Sequence, residues 1–435
     1  MNPEAKLRRE GLPEEAVAAF RALYDQLVAG ASGTLPDAEL EPVRELPTLA
    51  QLPRPATVGA LRHACVIKLN GGLGTSMGLA GPKSLLEARD GLTFLDVIGN
   101  QVSALRTRHD LRLPLVLMQS FRTQGAVPGV PDVLEFLQHK VPKLRADDLS
   151  AVQWPADPAL EWCPPGHGDL YASLLSSGVR DALLADGIRY AFVSNADNLG
   201  AVLDPVILEW FAASGAPFAM ETVLGTEADR KGGHIARRDG RLVLRETAQA
   251  PDQHTFQDFR RWRFYNTNNL WLDLEALVEV PRLPLIVNRK TVDPSDASSP
   301  AVIQTETAMG AAIGVFDRAL ALCVPRSRFV PVKTTDDLLA LRSDVYRLCR
   351  DGRVEAVAEP PYIALDPACF KCVGDFEARF PYGAPSLRAC ARLIVRGDVT
   401  FGRDVVARGR VEVCADVPDD TVLEGVYRPT VETLT

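Results

Sequence analysis

VIKLNGGLGTSMGLAGPKS, residues 66–84, decides how this chain is read. An apolar run, Val66–Leu69, leads into Asn70, and glycines follow at Gly71, Gly72, Gly74 and Gly78. A short apolar run bounded by glycines reads as a buried strand. Glycines after a strand admit positive φ and close backbone approach, so amide N–H groups can converge on phosphate oxygens. Spacing excludes two better-known phosphate loops. The third glycine of a Rossmann fingerprint is replaced by Met77, and Pro82 separates Gly81 from Lys83 where a P-loop needs Gly-Lys. The alternative is a glycine-rich turn with no ligand. The strand lead-in, the four glycines and the trailing Pro82-Lys83 together weigh against it.

On either side of this stretch, short apolar runs alternate with helical ones. Strands are expected at Cys65–Leu69, Leu115–Met118, Tyr190–Ser194, Phe218–Val223, Leu270–Leu272 and Phe329–Val332. Helices are expected at Leu92–Arg106, Leu170–Leu184 and Pro205–Ala213. That alternation implies an α/β fold with a largely parallel or mixed sheet. Asp239-Gly240, between His234–Arg237 and Leu242–Leu244, is a hairpin signal. Before the α/β region, residues 5–30 carry Leu7, Leu12, Val17, Phe20, Leu23 and Leu27 at helical spacing, and a proline-rich connector runs to about residue 60. Residues 392–415, RLIVRGDVTFGRDVVARGRVEVCA, repeat short apolar triplets at near-hexapeptide spacing, which reads as a small left-handed β-helix.

Composition narrows the function classes. The 435 residues carry a net charge of −8, and the only basic cluster is the short Arg260, Arg261, Arg263. A nucleic-acid partner is therefore not expected. No run of about 18 apolar residues suggests a membrane span, and the charged start MNPEAKLRREGLPEEAV is no secretory signal. Eight scattered cysteines suit a reducing, cytoplasmic setting rather than a disulfide scaffold. Cys369 and Cys372 form one CxxC, but Cys390 and Cys414 do not complete a zinc set, so ordinary thiols are expected.

Four further segments carry chemistry. Pro164-Pro165-Gly166-His167-Gly168-Asp169 is a rigid turn that sets one imidazole beside two glycines, where it can donate to a sugar or phosphate oxygen. A capping or core histidine is the alternative. Asp197 lies just past the apolar run Tyr190–Val193, and a carboxylate at a strand's end is a usual holder of Mg²⁺ against phosphate oxygens. One carboxylate suffices when a triphosphate supplies other ligands; an Asp capping the next helix is the alternative. Lys333 ends the expected strand Phe329–Val332, after Arg326 and Arg328, and a lysine there is a compact charge suited to triphosphate oxygens. Glu221 and the cluster Asn266, Asn268 and Asn269 suit the hydroxyls of a hexose, or else are turn-forming residues.

The glycine loop resembles the signature of the UDP-glucose pyrophosphorylase family. The likeness continues in order through WCPPGHGDLYAS (162–173), FVSNADNLGA (192–201), AMETVLGTEADRKGG (219–233), FYNTNNLWL (264–272), VIQTETAMGAAI (302–313) and VPRSRFVPVKTTDDL (324–338). It is dense over residues 60–340 and looser beyond. The resemblance implies a Rossmann-like, GT-A-like nucleotidyltransferase fold. It implies a helical segment and connector at 1–60, a nucleotidyltransferase domain at 61–355 and a β-helix-like domain at 356–435. It implies UTP and glucose 1-phosphate as substrates, Mg²⁺ as cofactor, and UDP-glucose and pyrophosphate as products. By the same likeness, Leu69, Asn70, Gly71, Gly72, Lys83, Gln138, Gly166, Asn195, Asp197 and Lys333 are expected on the nucleotide. His167, Asn195, Glu221, Asn268 and Asn269 are expected on the sugar phosphate, Asp197 on the metal, and Lys333, Lys83 and Asp197 in catalysis. A sugar phosphate oxygen is already anionic, so direct in-line attack on the α-phosphorus needs no general base. No Ser–His or Cys–His spacing demands a covalent intermediate.

Two rival readings remain at this stage. One is a uridylyltransferase for N-acetylhexosamine or several sugars. The other is a catalytically silent nucleotide-sugar binder, which would be expected to lack Lys83, Asp197 or Lys333; all three are present. Ala80 stands where the family commonly carries a lysine, which puts phosphate affinity in doubt. Ser120 follows Gln119 where the family more often has Asn, and the repeat ends early in VYRPTVETLT, which leaves the oligomeric state open.

Overall fold

The computed structural model describes residues 1–125 and 133–428. At its centre the strand Ala64–Leu69 is buried on both faces, as its unbroken apolar run requires of an inner parallel strand. Tyr190–Asn195 lies parallel on one side and Leu115–Gln119 parallel on the other, with Val133–Leu137 parallel beyond it. Phe264–Asp273 runs antiparallel against Tyr190–Asn195, and Phe218–Leu224 antiparallel against Phe264–Asp273. Among the described residues the sheet has ten strands and is mixed.

Leu270–Leu272 proves to be the apolar end of a ten-residue strand, Phe264–Asp273, whose first half is masked by the polar run Asn266–Asn269. Asp239 (φ 51°) and Gly240 (φ 78°) close a two-residue hairpin in which Arg238 faces Arg241, as the Asp-Gly pair demands. The helix expected at Leu92–Arg106 spans Phe94–His109, and Thr93 with Asp96 forms its capping box.

Three expected elements are corrected. Residues 5–30 form two helices, Pro3–Arg9 and Glu14–Val28, because Gly11 takes a φ of 81° and Pro13 cannot continue the first helix. Leu170–Leu184 likewise divides into Leu170–Ser176 and Val179–Ala185 at Gly178, whose φ is 74°. Phe329–Val332 is no strand. Pro331 lacks the N–H a ladder needs, and only an isolated bridge joins it to Asn198. The strand of this region is Leu320–Cys323, parallel to Phe218–Leu224.

Towards the C-terminus, Tyr362–Ala364, Ser386–Val395, Val406–Val413 and Val422–Tyr427 form a four-stranded parallel sheet. The last seven residues of the stretch expected as a β-helix domain lie outside the described residues. Leu387, Leu393, Ala407, Val411 and Leu423 point into one apolar cluster that also holds Phe94, Phe192 and Leu338. The C-terminal sheet and the central body thus share a core.

Candidate functional site

The four parallel strands end on one edge. Leu69 is in register with Asn195 and Met118, and Gln119 with Leu137, so the segments after them emerge side by side. Ligands of open α/β sheets gather at such carboxyl edges. Asn70 is buried here; its N–H donates to the Met118 carbonyl (2.8 Å) and its Nδ2 to Gln119 Oε1 (3.0 Å). Ser120 Oγ donates to the Gly71 carbonyl (2.8 Å) and so holds the glycine loop. Gln138 Nε2 donates to the Gly166 carbonyl (2.8 Å), and a Cβ on Gly71 would come within 3.3 Å of Gln138 Oε1. Gly71, Gln138 and Gly166, far apart in sequence, are therefore brought to one point.

The loop turns back at Gly74 and Gly78, both left-handed (φ 61° and 72°), and the Lys83 N–H closes it by donating to the Gly72 carbonyl (3.1 Å). The closure aims the Lys83 ammonium across the cleft, where Nζ lies 3.1 Å from Asp197 Oδ2 and also donates to the Val332 carbonyl. Asp197 caps no helix: the next begins at Pro205 behind Asp204. Its Oδ1 is buried without a hydrogen-bond partner. A buried bare carboxylate oxygen is unfavourable unless something fills it. No group of three or more His, Cys, Asp or Glu gathers as a metal cage among the described residues. One free carboxylate oxygen fits a hard cation that takes its remaining ligands from phosphate and water.

Lys333 begins not at a strand's end but just before the helix Thr335–Arg342, where its N–H donates to the Asp337 carboxylate (2.7 Å). Its side chain is exposed, and its charge reaches two groups on the opposite wall. One is His167. The turn carrying it is pressed onto Thr307, whose N–H donates to the Pro165 carbonyl (2.9 Å). The Met309 N–H donates to His167 Nδ1 (2.9 Å), so this nitrogen is the acceptor and Nε2 carries the proton. Burial, and then the Lys333 charge, push the imidazole down to about 4. At neutral pH His167 is thus an uncharged donor. The second group is Glu246, which burial raises while Lys333 draws it back; its carboxylate sits against Gly233. Glu246 went unnoticed in the sequence because a lone carboxylate after the strand Arg241–Arg245 belongs to no motif.

The expected sugar-facing residues separate into two groups. Asn195 and Asn268 lie partly open; Asn268 takes a φ of 58°, held by the Asn266 side chain, which accepts from its N–H and donates to its Oδ1 (both 2.8 Å). Glu221 and Asn269 are fully buried. Both Glu221 oxygens are taken by Arg328, Trp271 and Asn269. Lys68 lies nearby, donating to Ser194 Oγ and the Ala201 carbonyl (2.7 Å each), and burial lowers its ammonium to about 7. Lys68 and Asn198 carry no sequence signal beyond their places in strand and loop, and Arg328 was visible only as a neighbour of Lys333.

Known proteins match this arrangement along nearly the whole chain. The family model described as UTP–glucose-1-phosphate uridylyltransferase matches residues 17–408. The enzyme of that name from Solanum tuberosum is 40% identical over 409 residues, 89% of this chain and 85% of that one. The one from Saccharomyces cerevisiae is 41% identical over 400 residues, 86% and 79% of the two chains. Among solved structures, a variant of the Leishmania major UDP-glucose pyrophosphorylase in complex with UDP-glucose superposes with a TM-score of 0.93 at 40% identity, covering 98% of both chains. A Trypanosoma brucei structure gives 0.90 at 42% identity, again over 98% of each. With this identity, this coverage and this cleft, the chain belongs to the UTP–glucose-1-phosphate uridylyltransferase family.

Proposed function

We propose that this protein transfers the uridylyl group of UTP to glucose 1-phosphate, giving UDP-glucose and pyrophosphate, with Mg²⁺. The observation that carries the reading is the pair Lys83–Asp197 at the carboxyl edge, one carboxylate oxygen against the ammonium and the other buried and bare. The obstacle to the reaction is repulsion between two polyanions, and positioned charge is what relieves it. Leu69–Gly72, Gln138 and Gly166 receive the nucleotide. Asp197 would hold the metal, which would supply charge neutralisation on the triphosphate. Lys83 and Lys333 flank the α-phosphate and the departing pyrophosphate. His167, as a neutral Nε2–H donor, orients the sugar phosphate together with Asn195 and Asn268. The sugar phosphate oxygen bonds to the α-phosphorus, the bridge to the β-phosphate breaks, and pyrophosphate leaves with that electron pair. No proton has to move.

The same reading divides the chain at about residues 60 and 355, takes the C-terminal parallel strands as the beginning of a left-handed β-helix, and places the protein in the cytoplasm, where its eight free thiols remain reduced. No helix among the described residues is long and apolar enough to cross a membrane. The test is the purified protein with UTP and Mg²⁺ against a panel of sugar 1-phosphates, reading pyrophosphate release. Release with glucose 1-phosphate ahead of the N-acetylhexosamine 1-phosphates is expected. Silence with every sugar, or preference for an N-acetylated one, overturns the assignment.

A further inference from the structure

Residues 325–333 carry Lys333 to the cleft without the support of a sheet. A 3-10 turn, Arg326–Arg328, is followed by Phe329–Val332 with Pro331 within it, and among the described residues its one ladder contact is the single bridge to Asn198. The position of Lys333 has to be set by side chains instead. The central one is Arg328, which is buried.

Its guanidinium meets Glu221, a carboxylate of zero exposure on the inner strand Phe218–Leu224. Arg328 Nη2 donates to Oε1 at 2.7 Å and Arg328 Nε to Oε2 at 2.8 Å. Trp271 Nε1 donates to Oε1 and Asn269 Nδ2 to Oε2, both at 3.0 Å. An ionised carboxylate offers about four lone-pair sites, and these four bonds use them all. Glu221 has nothing left to offer a sugar hydroxyl.

The main chain beside Arg328 is tied to the same frame. The Arg328 carbonyl accepts from Asn198 Nδ2 and Asn269 Nδ2 (3.2 Å each), and the Val330 N–H donates to Asn198 Oδ1 (2.9 Å). The Val332 N–H donates to the Asp197 carbonyl (3.0 Å), and the Val332 carbonyl accepts from Lys83. Gly200 fits beneath because it has no side chain: a Cβ there would lie 2.6 Å from the Ser327 carbonyl oxygen. Two strands, and the turn after a third, therefore hold one irregular loop through an ion pair and two asparagines.

We infer that Glu221 and Arg328 are positioning residues whose buried ion pair sets the Lys333 loop against Asp197 and Lys83. The inference rests on Lys333 being the phosphate-facing lysine, and it assigns Glu221 to the loop rather than to the sugar. A bidentate Arg–carboxylate pair fixes direction as well as distance, which one lysine in place of Arg328 would not do.

The test is a kinetic double-mutant cycle with Glu221→Gln, Lys333→Ala and the two combined. A small misplacement of a reacting group costs about 100-fold in rate, so Glu221→Gln should lower kcat by about that factor with the KM for glucose 1-phosphate little changed. In the Lys333→Ala background the same substitution should have almost no further effect on kcat. A rise in the glucose 1-phosphate KM together with additive losses means Glu221 touches the sugar, and overturns the inference. Glu221→Gln leaves the buried Arg328 with only the more distant Asp204 carboxylate, 3.8 Å away, and can fail to fold. Arg328→Lys keeps the charge, loses the fork, and should show the same kcat signature more weakly. Amide hydrogen exchange over residues 326–333 reads the anchoring without turnover. Faster exchange confined to that loop in Arg328→Lys is expected, and protection equal to wild type overturns the inference. If the wild-type protein releases no pyrophosphate, the proposed activity fails while the exchange result still decides the anchoring.

Discussion

At the residue scale the cleft holds charges that the protein pairs only in part, for Asp197 Oδ2 meets Lys83 Nζ at 3.1 Å. Asp197 Oδ1 is bare and buried, and among the described residues the exposed Lys333 hydrogen-bonds the protein through its N–H to Asp337. In the proposed mechanism these groups act on the ligand rather than on the fold. Lys333→Ala should accordingly cut kcat by about 100- to 1000-fold while the thermal midpoint stays near that of wild type; near-normal turnover in a folded variant removes Lys333 from the mechanism. Asp197→Ala should flatten the Mg²⁺ dependence of pyrophosphate release, and an unchanged titration means the metal is held elsewhere. His167 gives a third expectation. Its imidazole lies at about 4 because burial and Lys333 disfavour the cation, so it stays neutral from pH 7 to pH 5. The pH profile of kcat/KM for glucose 1-phosphate should therefore carry no acid limb due to this residue near the ordinary value of 6.5. A limb there that vanishes in His167→Gln contradicts the neutral-donor role.

At the scale of elements, the glycines separate into those that shape the site and those that merely permit it. Gly166 takes a φ of 80°, and a Cβ on it would meet the Thr307 carbonyl oxygen at 2.4 Å and its nitrogen at 2.8 Å, both backbone atoms that cannot swing aside. Gly81 has open space around it. Gly166→Ala should lower stability by about 2 kcal/mol and weaken UTP binding through the Gln138 contact, whereas Gly81→Ala should stay within about 0.5 kcal/mol of wild type. Urea unfolding and UTP titration of the two variants check this, and equal behaviour would show that the turn is softer than its contacts indicate. The same scale shows what the sequence made legible. Three parallel strands, Ala64–Leu69, Leu115–Gln119 and Tyr190–Asn195, announced themselves as apolar runs, and the hairpin at Asp239-Gly240 by its dipeptide, whereas the parallel strands Val133–Leu137 and Leu320–Cys323 did not. Nor did the strand that holds polar residues: Phe264–Asp273 hides behind Asn266–Asn269; and Phe329–Val332, apolar in part, is no strand because Pro331 has no N–H to give. The site followed the same rule. Lys83, Asp197 and Lys333 sit in motifs that a reading of the sequence can single out, whereas Arg328 works through Glu221, 107 residues away, and partnership at that distance leaves no local mark.

At the scale of the whole molecule, several ionisable groups are buried in states they would not choose in water, and their balance sets how stability depends on pH. His234 is fully buried, stacked on Trp262 at 4.8 Å and near Phe256 at 4.7 Å, with neither ring nitrogen hydrogen-bonded. Burial, and the charges of Arg245 and Arg261, lower it to about 3. Below pH 6.5 the unfolded chain takes up a proton there that the folded chain refuses, so the unfolded state gains and stability falls with pH. By pH 5 this amounts to about 2 kcal/mol for such a group. His167 acts with the same sign. Asp336 acts against them: burial raises its carboxyl to about 6, so the folded chain binds the extra proton and gains as pH drops below that value. Glu246 and Glu306, also raised by burial, share that sign. Because these terms overlap, the wild-type curve alone identifies none of them, but a difference does. His234→Phe removes two unsatisfied nitrogens and keeps an aromatic ring against Trp262. Urea unfolding of both proteins at pH 7 and pH 5 should show the variant gaining on wild type by about 2 kcal/mol over that interval, whatever its starting offset from the slightly larger ring. An offset that is the same at both pH values means that folded His234 takes up its proton as readily as the unfolded chain does, and that acid lability of this protein arises elsewhere.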